Sequence, residues 1–251
     1  MNGPLRKAVV LAAGKGQRLS PYTDQLPKPM ISLAGHPLLA YLLRHLQMAG
    51  IEQVLLVIGY LGDKIQAHFG AGEEFDLALS YRHQDIQRGN GAATLLARDF
   101  VGDEHFILAW GDILCARTDV QKLIGAFPLV DPPDGLLLLE WVDDPHQGAA
   151  VYLDADGRIS RIIEKPAPGT STTPWNQAGL AAYSPRLFAH LETLTPSSRG
   201  ELELTGAVQS LVSTGHLVQG LPLEAPRLHI TNPEDIEPAA ATLRSDPRYG
   251  L

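Results

Sequence analysis

The chain has 251 residues, of which 45% are hydrophobic, and its 20 Lys and Arg against 28 Asp and Glu give a formal net charge of −8. A chain of this length and composition can bury one sizeable hydrophobic core. Its net negative charge excludes a protein that coats nucleic acid generally, because such a protein needs a positively charged surface. A single cysteine, Cys115, excludes an internal disulfide framework and a zinc site built from cysteines.

The hydrophobic pattern predicts strands that alternate with helices. Short apolar runs predict strands at residues 8–12, 54–60, 77–82, 105–110 and 136–142. Helical periodicity predicts helices at residues 37–49, 63–69, 94–100 and 118–127. This alternation is typical of an α/β protein with a parallel sheet.

The pattern of apolar and polar residues changes after Gly148. The segment YLDADGRISRI predicts a hairpin that turns at Asp156 and Gly157, so we expect the sheet to become mixed. Residues 166–174, PAPGTSTTP, predict a polar loop of the kind that often covers a site. Further helices are predicted at residues 186–194, 202–214 and 235–243.

The segment LAAGKGQRLSPYTDQLPKPM, residues 11–30, follows the first predicted strand. Its glycines and cations indicate a phosphate site, because backbone N–H groups and cations after a strand hold anions. It lacks the Lys-Ser/Thr ending of a Walker A loop, and Leu19 stands where a dinucleotide fingerprint needs a small residue. Lys28 lies between Pro27 and Pro29, whose fixed φ angles restrict the backbone. The alternative is an ordinary glycine turn.

The pattern LAAGxGxRLxPxTxxxPKP between Leu11 and Pro29 resembles the signature of the sugar-1-phosphate nucleotidylyltransferases. The resemblance implies a Rossmann-like, GT-A-type α/β fold with a mixed, mostly parallel central sheet flanked by helices. It also implies that Arg18 and Lys28 neutralise phosphates at the reacting centre. The nucleotide-binding residues that it implies are Leu11, Ala12, Ala13, Gly14, Gly16, Gln84 and Gly89.

The identity of the base depends on the segment HQDIQRGNGAA. Gln84 and Gly89 are similar to the base-reading glutamine of the family and the glycine five residues later. The alternative for Gln84 is an exposed amide at a strand end. The resemblance favours UTP or dTTP as the nucleotide. Because GNGAA differs from the usual family form, CTP and GTP are the alternatives.

A metal site is expected at Asp112, which directly follows the predicted strand of FILAWGDIL. Carboxyl ends of strands line the ligand crevice of an open α/β sheet, and a carboxylate there can hold a metal. The alternative is a turn or capping aspartate. The resemblance implies that Asp112 binds Mg²⁺ and that a second ligand lies in LHITNPEDI. The best match is His229, but imidazole is a poor Mg²⁺ ligand, so either Asn232 takes its place or the second ligand is absent and the metal site is weaker than usual in the family.

Three later segments resemble the sugar-binding parts of the family. In EKP, Glu164 would contact sugar hydroxyls and Lys165 the sugar phosphate; the alternative is a solvated edge. In WNQAGLAAY, Gln177 would contact the sugar and Gly179 would allow a close backbone approach. In RGELELT, Arg199 would bind the sugar phosphate, with a helix capping box as the alternative.

The predicted reaction joins a nucleoside triphosphate to a sugar 1-phosphate, with Mg²⁺, to give an NDP-sugar and pyrophosphate. We expect one domain over residues 1–251, with a nucleotide-binding part at about 1–115 and a sugar-phosphate-binding part at about 116–251. The partners are these substrates, without nucleic acid or membrane; a homo-oligomer is compatible with the sequence, and a cytoplasmic location is expected. The alternatives are a cytidylyl- or guanylyltransferase acting on another phosphorylated alcohol, and a non-catalytic sensor of nucleotide or sugar phosphate.

Overall fold

The computed structural model describes residues 5–251. Its strands are β1 (Lys7–Ala12), β2 (Ser32–Leu33), β3 (His36–Pro37), β4 (Gln53–Ile58), β5 (Ala78–His83), β6 (Phe106–Trp110), β7 (Ile113–Leu114), β8 (Gly135–Trp141), β9 (Ala149–Leu153), β10 (Ile159–Glu164), β11 (Trp175–Tyr183), β12 (Val218–Pro222) and β13 (Leu228–His229). Its helices are α1 (Leu38–Met48), α2 (Gly62–Phe69), α3 (Asn90–Leu95), α4 (Arg98–Val101), α5 (Arg117–Ala126), α6 (Arg186–Glu192), α7 (Leu204–Ser213) and α8 (Ile236–Ser245).

The central sheet has nine strands and is mixed. Its main path runs β10-β9-β11-β6-β1-β4-β5, and β8 joins β11 to β12. Strands β6, β1, β4 and β5 are parallel, whereas β11 is antiparallel to β6, β8 and β9. Because β1, β4 and β6 run in the same direction, their carboxyl ends meet at one edge of the sheet, where a ligand crevice is expected.

Two apolar clusters cover the two faces of this sheet. Val10 and Leu56 belong to the cluster that includes helix α1, whereas Val9 and Leu55 belong to the cluster that includes α6 and α7. Neighbouring residues of β1 and β4 therefore bury opposite faces, which is why these strands appear in the sequence as continuous apolar runs. The predicted α/β fold with a mixed sheet flanked by helices is confirmed.

Two parts of the secondary-structure prediction were wrong. The helix predicted at residues 94–100 is divided into α3 and α4 and begins at Asn90, four residues earlier. Asn and Gly are poor helix formers, but the Gly91 N–H donates to the Leu202 carbonyl at 2.8 Å, so tertiary contacts outweigh propensity. The long strand β11, strand β12 and the two-residue strands β2, β3, β7 and β13 were not predicted, and β12 (VQGLP) contains the glycine and proline that usually weaken a strand pattern.

Across residues 5–251, none of the helices combines the length and the apolar character that crossing a membrane requires.

Candidate active site

Two adjoining cavities lie at the carboxyl edge of the parallel strands. The first has a volume of about 350 Å³ and the second about 930 Å³, which is the usual range for ligand sites. Both cavities are lined by Asn90, Trp110, Asp112, Glu164 and Lys165. A molecule in one cavity would therefore meet a molecule in the other beside these five residues.

Lys28 and Asp112 form an ion pair at the junction of the two cavities. The Lys28 Nζ lies 2.6 Å from Asp112 Oδ2, although 84 residues separate them in the chain. Lys28 opens a short 3₁₀ helix whose first turn is set by Pro27 and Pro29, and its side chain is only 10% exposed. The ammonium group is therefore held in place rather than free in solvent.

The electrostatics of this pair keep Asp112 ionised. Burial raises the pKa of the Asp112 carboxyl, but His229 and the positive charge of Lys28 lower it by more, so its pKa lies well below the usual range. Asp112 is thus a carboxylate at neutral pH, which is the form that binds cations.

The glycine turn after β1 packs against the same lysine. The Gly16 carbonyl accepts hydrogen bonds from the Leu19 N–H and the Thr23 hydroxyl, each at 2.9 Å. These bonds close the turn, and Gly14 lines the first cavity while Arg18 lines the second. The loop therefore supplies backbone to one cavity and a cation to the other.

The C-terminal segment reaches the site through β13. This strand pairs antiparallel with β7, which puts His229 opposite Ile113 and brings His229 Nε2 to 3.7 Å from Asp112 Oδ2. Asn232 also lines the second cavity, and its backbone N–H donates to Asp235 Oδ2 at 2.8 Å. Of the two predicted second metal ligands, His229 is the one that contacts Asp112.

The sugar-side charges are clustered around Glu164. Lys165 has a φ of +42°, an uncommon conformation for a lysine, and its N–H donates to the Gly148 carbonyl at 2.7 Å. Arg199 Nη2 lies 2.7 Å from Glu203 Oε1 and 3.7 Å from Glu164 Oε1. Burial raises the pKa of Glu164, and the Lys165 charge opposes this effect. Two cations and two carboxylates thus line the first cavity, and Glu164 and Lys165 of this group also line the second.

A β-bulge carries Gln177 and Gly179 into the second cavity. The register between β11 and β8 shifts between Gln177 and Ala181, and Gly179 has a φ of +85°. A Cβ at position 179 would lie 2.5 Å from Ile113 Cδ1. The backbone at residue 179 therefore lies so close to β7 that only glycine fits there without a shift. Glycine at position 179 is thus required by the packing against Ile113, and the predicted approach of its backbone to the sugar stays a prediction.

The structure gives the residues around the GNGAA segment defined hydrogen-bonding roles. Gln84 Nε2 donates to the Gly89 carbonyl at 3.3 Å, which joins the two residues predicted to bind the base. Asn90 Oδ1 accepts a hydrogen bond from the Leu204 N–H at 2.8 Å and so caps the N-terminus of α7. The cap for this helix comes from Asn90, and the capping box considered for residues 199–205 does not form.

Gly89 is expected to be intolerant of a side chain. Its φ is +96°, and a Cβ would lie 2.6 Å from the Leu202 carbonyl oxygen. Gly89→Ala should cost about 1–3 kcal/mol of strain, lower the melting temperature by several degrees and raise the KM for the nucleotide. Gly102→Ala is the matched control, since Gly102 has a φ of +60° and open space around it. An unchanged nucleotide KM in Gly89→Ala would contradict this prediction.

The structure brings almost all of the predicted site residues to the cavities. The first cavity is lined by Leu11, Ala12, Ala13, Gly14, Lys28, Gln84, Gly89, Asp112, Glu164, Lys165 and Arg199. The second is lined by Arg18, Asp112, Glu164, Lys165, Gln177, Gly179, His229 and Asn232. Gly16 lines neither cavity and only closes the turn.

Several cavity residues were missed by the sequence analysis. Gln87 lines the first cavity and donates its amide N–H to the Ala13 carbonyl at 2.8 Å. Asn176 lines the second cavity, is only 5% exposed, and its Oδ1 has no hydrogen-bond partner among residues 5–251. Arg227 also lines the second cavity. The polar positions 176 and 177 inside an otherwise apolar strand were the available signal for Asn176.

The comparisons with known proteins agree with this geometry. A family model described as nucleotidyl transferase matches residues 7–225. The low-salt glycan biosynthesis nucleotidyltransferase Agl11 of Haloferax volcanii is 35% identical over 92% of this chain and 64% of its own length. The UTP–glucose-1-phosphate uridylyltransferase AglF of the same organism is 33% identical, with 96% of this chain and 97% of that protein covered. The chain belongs to the sugar-1-phosphate nucleotidyltransferase family.

A solved structure supports the family fold over the whole described chain. A Bacillus anthracis protein described as a glucose-1-phosphate thymidylyltransferase, in complex with sucrose, superposes with a TM-score of 0.86 at 26% identity. The alignment covers 98% of this chain and 97% of that one. The family and the fold predicted from the sequence are confirmed, while the role of each site residue stays a prediction.

The donor set of this nucleotidyltransferase fits Mg²⁺ with one protein carboxylate. Within residues 5–251, no group of three or more His, Cys, Asp or Glu side chains could hold a metal ion. Mg²⁺ commonly uses one or two carboxylates together with substrate phosphates, and Asp112 fits that donor set. His229 fits less well, because Mg²⁺ prefers oxygen over imidazole nitrogen.

Proposed function

We propose that this chain condenses a nucleoside triphosphate with a sugar 1-phosphate to form an NDP-sugar. The observation that supports it most strongly is the Lys28–Asp112 pair, 2.6 Å apart, where two polar cavities meet. Transfer of a nucleotidyl group needs aligned reactants and neutralised charge more than covalent chemistry from the protein. An ion pair between two cavities of ligand size is suited to that task.

In the proposed reaction, a phosphate oxygen of the sugar 1-phosphate attacks the α-phosphorus of the triphosphate. A new P–O bond forms, the bond between the α-phosphorus and the bridging oxygen breaks, and pyrophosphate leaves with that electron pair. The attacking phosphate is already ionised, so no general base is needed. Lys28 and Arg18 would stabilise the negative charge that develops on the transferred and leaving groups.

The two cavities would divide the substrates between them. The base would lie in the first cavity beside Gln84 and Gly89, and the sugar ring in the second beside Gln177. The phosphate of the sugar would lie where the cavities meet, near Lys165, which lines both, and Arg199, which lines the first. Asp112 would hold Mg²⁺ together with substrate phosphates, and the ion would add positive charge at the α-phosphate when bound. The protein itself would align the sugar phosphate oxygen with the α-phosphorus and the leaving pyrophosphate.

The nucleotide should be UTP or dTTP. AglF is named a uridylyltransferase and the Bacillus anthracis protein a thymidylyltransferase, and both align over almost the whole of this chain. Because Asn90 caps α7, its side chain is committed to structure and the GNGAA segment does not by itself identify a different base. A cytidylyl- or guanylyltransferase and a non-catalytic sensor remain the competing functions.

A substrate matrix tests the proposal. Each of UTP, dTTP, CTP and GTP is combined with several sugar 1-phosphates and Mg²⁺, and released pyrophosphate is measured. We expect turnover with UTP or dTTP. Turnover with CTP or GTP alone would favour the competing transferase, and calorimetric binding without turnover in any combination would favour the sensor and contradict the proposed function.

A further inference from the structure

A partly buried ion pair beside the second cavity has no part in the reaction described above. Arg227 Nε lies 2.7 Å from Glu140 Oε2, and the two side chains are 12% and 19% exposed. Arg227 lines the second cavity, whereas Glu140 belongs to β8 behind it. A charged pair at this depth is costly to desolvate and is not explained by stability alone.

Arg227 is anchored from two sides. Its Nη1 donates to the Gln177 carbonyl at 3.0 Å, at the bulge that carries Gln177 and Gly179. A guanidinium has five N–H donors, and the contacts to Glu140 and Gln177 use two of them. The other donors belong to a side chain that lines the cavity, so they are available to a ligand or to water there.

The partner carboxylate determines which ligand group suits these donors. Glu140 balances the charge of Arg227, so the pair supplies N–H donors to the cavity without a net positive charge. A neutral oxygen, such as a sugar hydroxyl, can accept from such donors, whereas a carboxylate would also meet the opposing charge of Glu140. The geometry therefore favours hydroxyl recognition over acid recognition.

We propose that Arg227 is a specificity-determining residue that donates hydrogen bonds to uncharged hydroxyl groups of the sugar 1-phosphate, with Glu140 holding and neutralising it. The inference rests on the proposed function, because it assigns the sugar ring to the second cavity. It adds to that function a class of substrate: sugar phosphates whose ring substituents are neutral rather than carboxylic.

The first test separates recognition of the sugar from general damage. In Arg227→Met and Arg227→Lys, the KM for glucose 1-phosphate should rise about tenfold or more, while the KM for the nucleotide changes less than about twofold. Arg227→Lys keeps a charge next to Glu140 but lacks the planar fork that contacts Glu140, Gln177 and a ligand together. Arg244→Met, which removes an exposed arginine paired with Glu237, is the matched control and should change neither KM.

The second test uses the partner carboxylate. Glu140→Gln leaves the Arg227 charge unbalanced, so the ratio of kcat/KM for glucuronic acid 1-phosphate to that for glucose 1-phosphate should rise about tenfold over wild type. A purely structural pair would lower both values together and leave the ratio unchanged. Should Arg227→Met fail to fold, the Lys and Gln variants carry the test, since both keep a polar group at each position.

The outcomes distinguish this inference from the function it rests on. If the wild-type chain shows no turnover with any substrate pair, the proposed function fails and the inference fails with it. If the wild type is active but Arg227→Lys keeps the wild-type KM for the sugar phosphate and Glu140→Gln keeps the wild-type ratio, only the inference is overturned. Equal rises in both substrate KM values would likewise assign the pair a structural role.

Discussion

Replacing Lys28 with methionine should lower kcat at least about a hundredfold, the usual effect of losing one preorganised charge-stabilising contact. Methionine keeps most of the apolar stem that packs near Gly16 and Thr23 but removes the ammonium group 2.6 Å from Asp112. The negative charge that develops when pyrophosphate leaves would then have one cation fewer beside it. Steady-state release of pyrophosphate, with both substrates saturating, measures the effect.

Two controls show whether the fall in kcat comes from loss of the catalytic charge or from misfolding. Lys122→Met removes an ammonium group that pairs with Glu224 and lines neither cavity, so its kcat should equal that of wild type. Loss of the charge that lowers the Asp112 pKa should reduce the melting temperature of Lys28→Met by only a few degrees, because the carboxylate left behind is 28% exposed and stays near His229. Turnover within a few-fold of wild type in the Lys28 variant would refute the role that we assign to this lysine.

The elements that sequence reasoning predicted well are those with a strong periodic signal. Strands β1 and β4 are buried on both faces and appear as continuous apolar runs, and α1 has a regular apolar face. Strand β12 has no such signal, because Val218 is its only fully buried residue and the strand ends in proline. Its place in the sheet depends on pairing with β8, which is distant in sequence.

Sequence reasoning found the local motifs of the site but not the contacts between distant segments. Local motifs indicated the glycine turn and Asp112 separately, but only the resemblance to the family placed Lys28 and Asp112 at one centre. Their contact spans 84 residues, and no spacing rule within either motif predicts it. Arg227 was missed altogether, because its partner Glu140 lies on β8 and neither residue belongs to a recognisable motif. Such contacts are set by how the strands are ordered in the sheet.

Replacing Asp112 with asparagine should lower kcat by about two orders of magnitude or more and should also weaken activation by Mg²⁺. Asparagine keeps the size of the side chain but removes the negative charge that would hold the ion, and it leaves the Lys28 ammonium without its counter-charge. The half-saturating Mg²⁺ concentration, measured from pyrophosphate release in a magnesium titration, should rise about tenfold or more. Asp103→Asn, at an exposed position that lines neither cavity, should change neither value.

A companion substitution examines the second metal position. His229 Nε2 is 3.7 Å from Asp112 Oδ2, so an aspartate at position 229 would place a second carboxylate close to the first. Because Mg²⁺ prefers oxygen ligands, His229→Asp should lower the half-saturating Mg²⁺ concentration several-fold, whereas Asn232→Ala should raise it only if Asn232 is the second ligand. If neither Asp112→Asn nor His229→Asp alters the magnesium titration, the ion is not held at this edge of the sheet. The ion would then be held by the substrate phosphates without a carboxylate from this edge of the sheet.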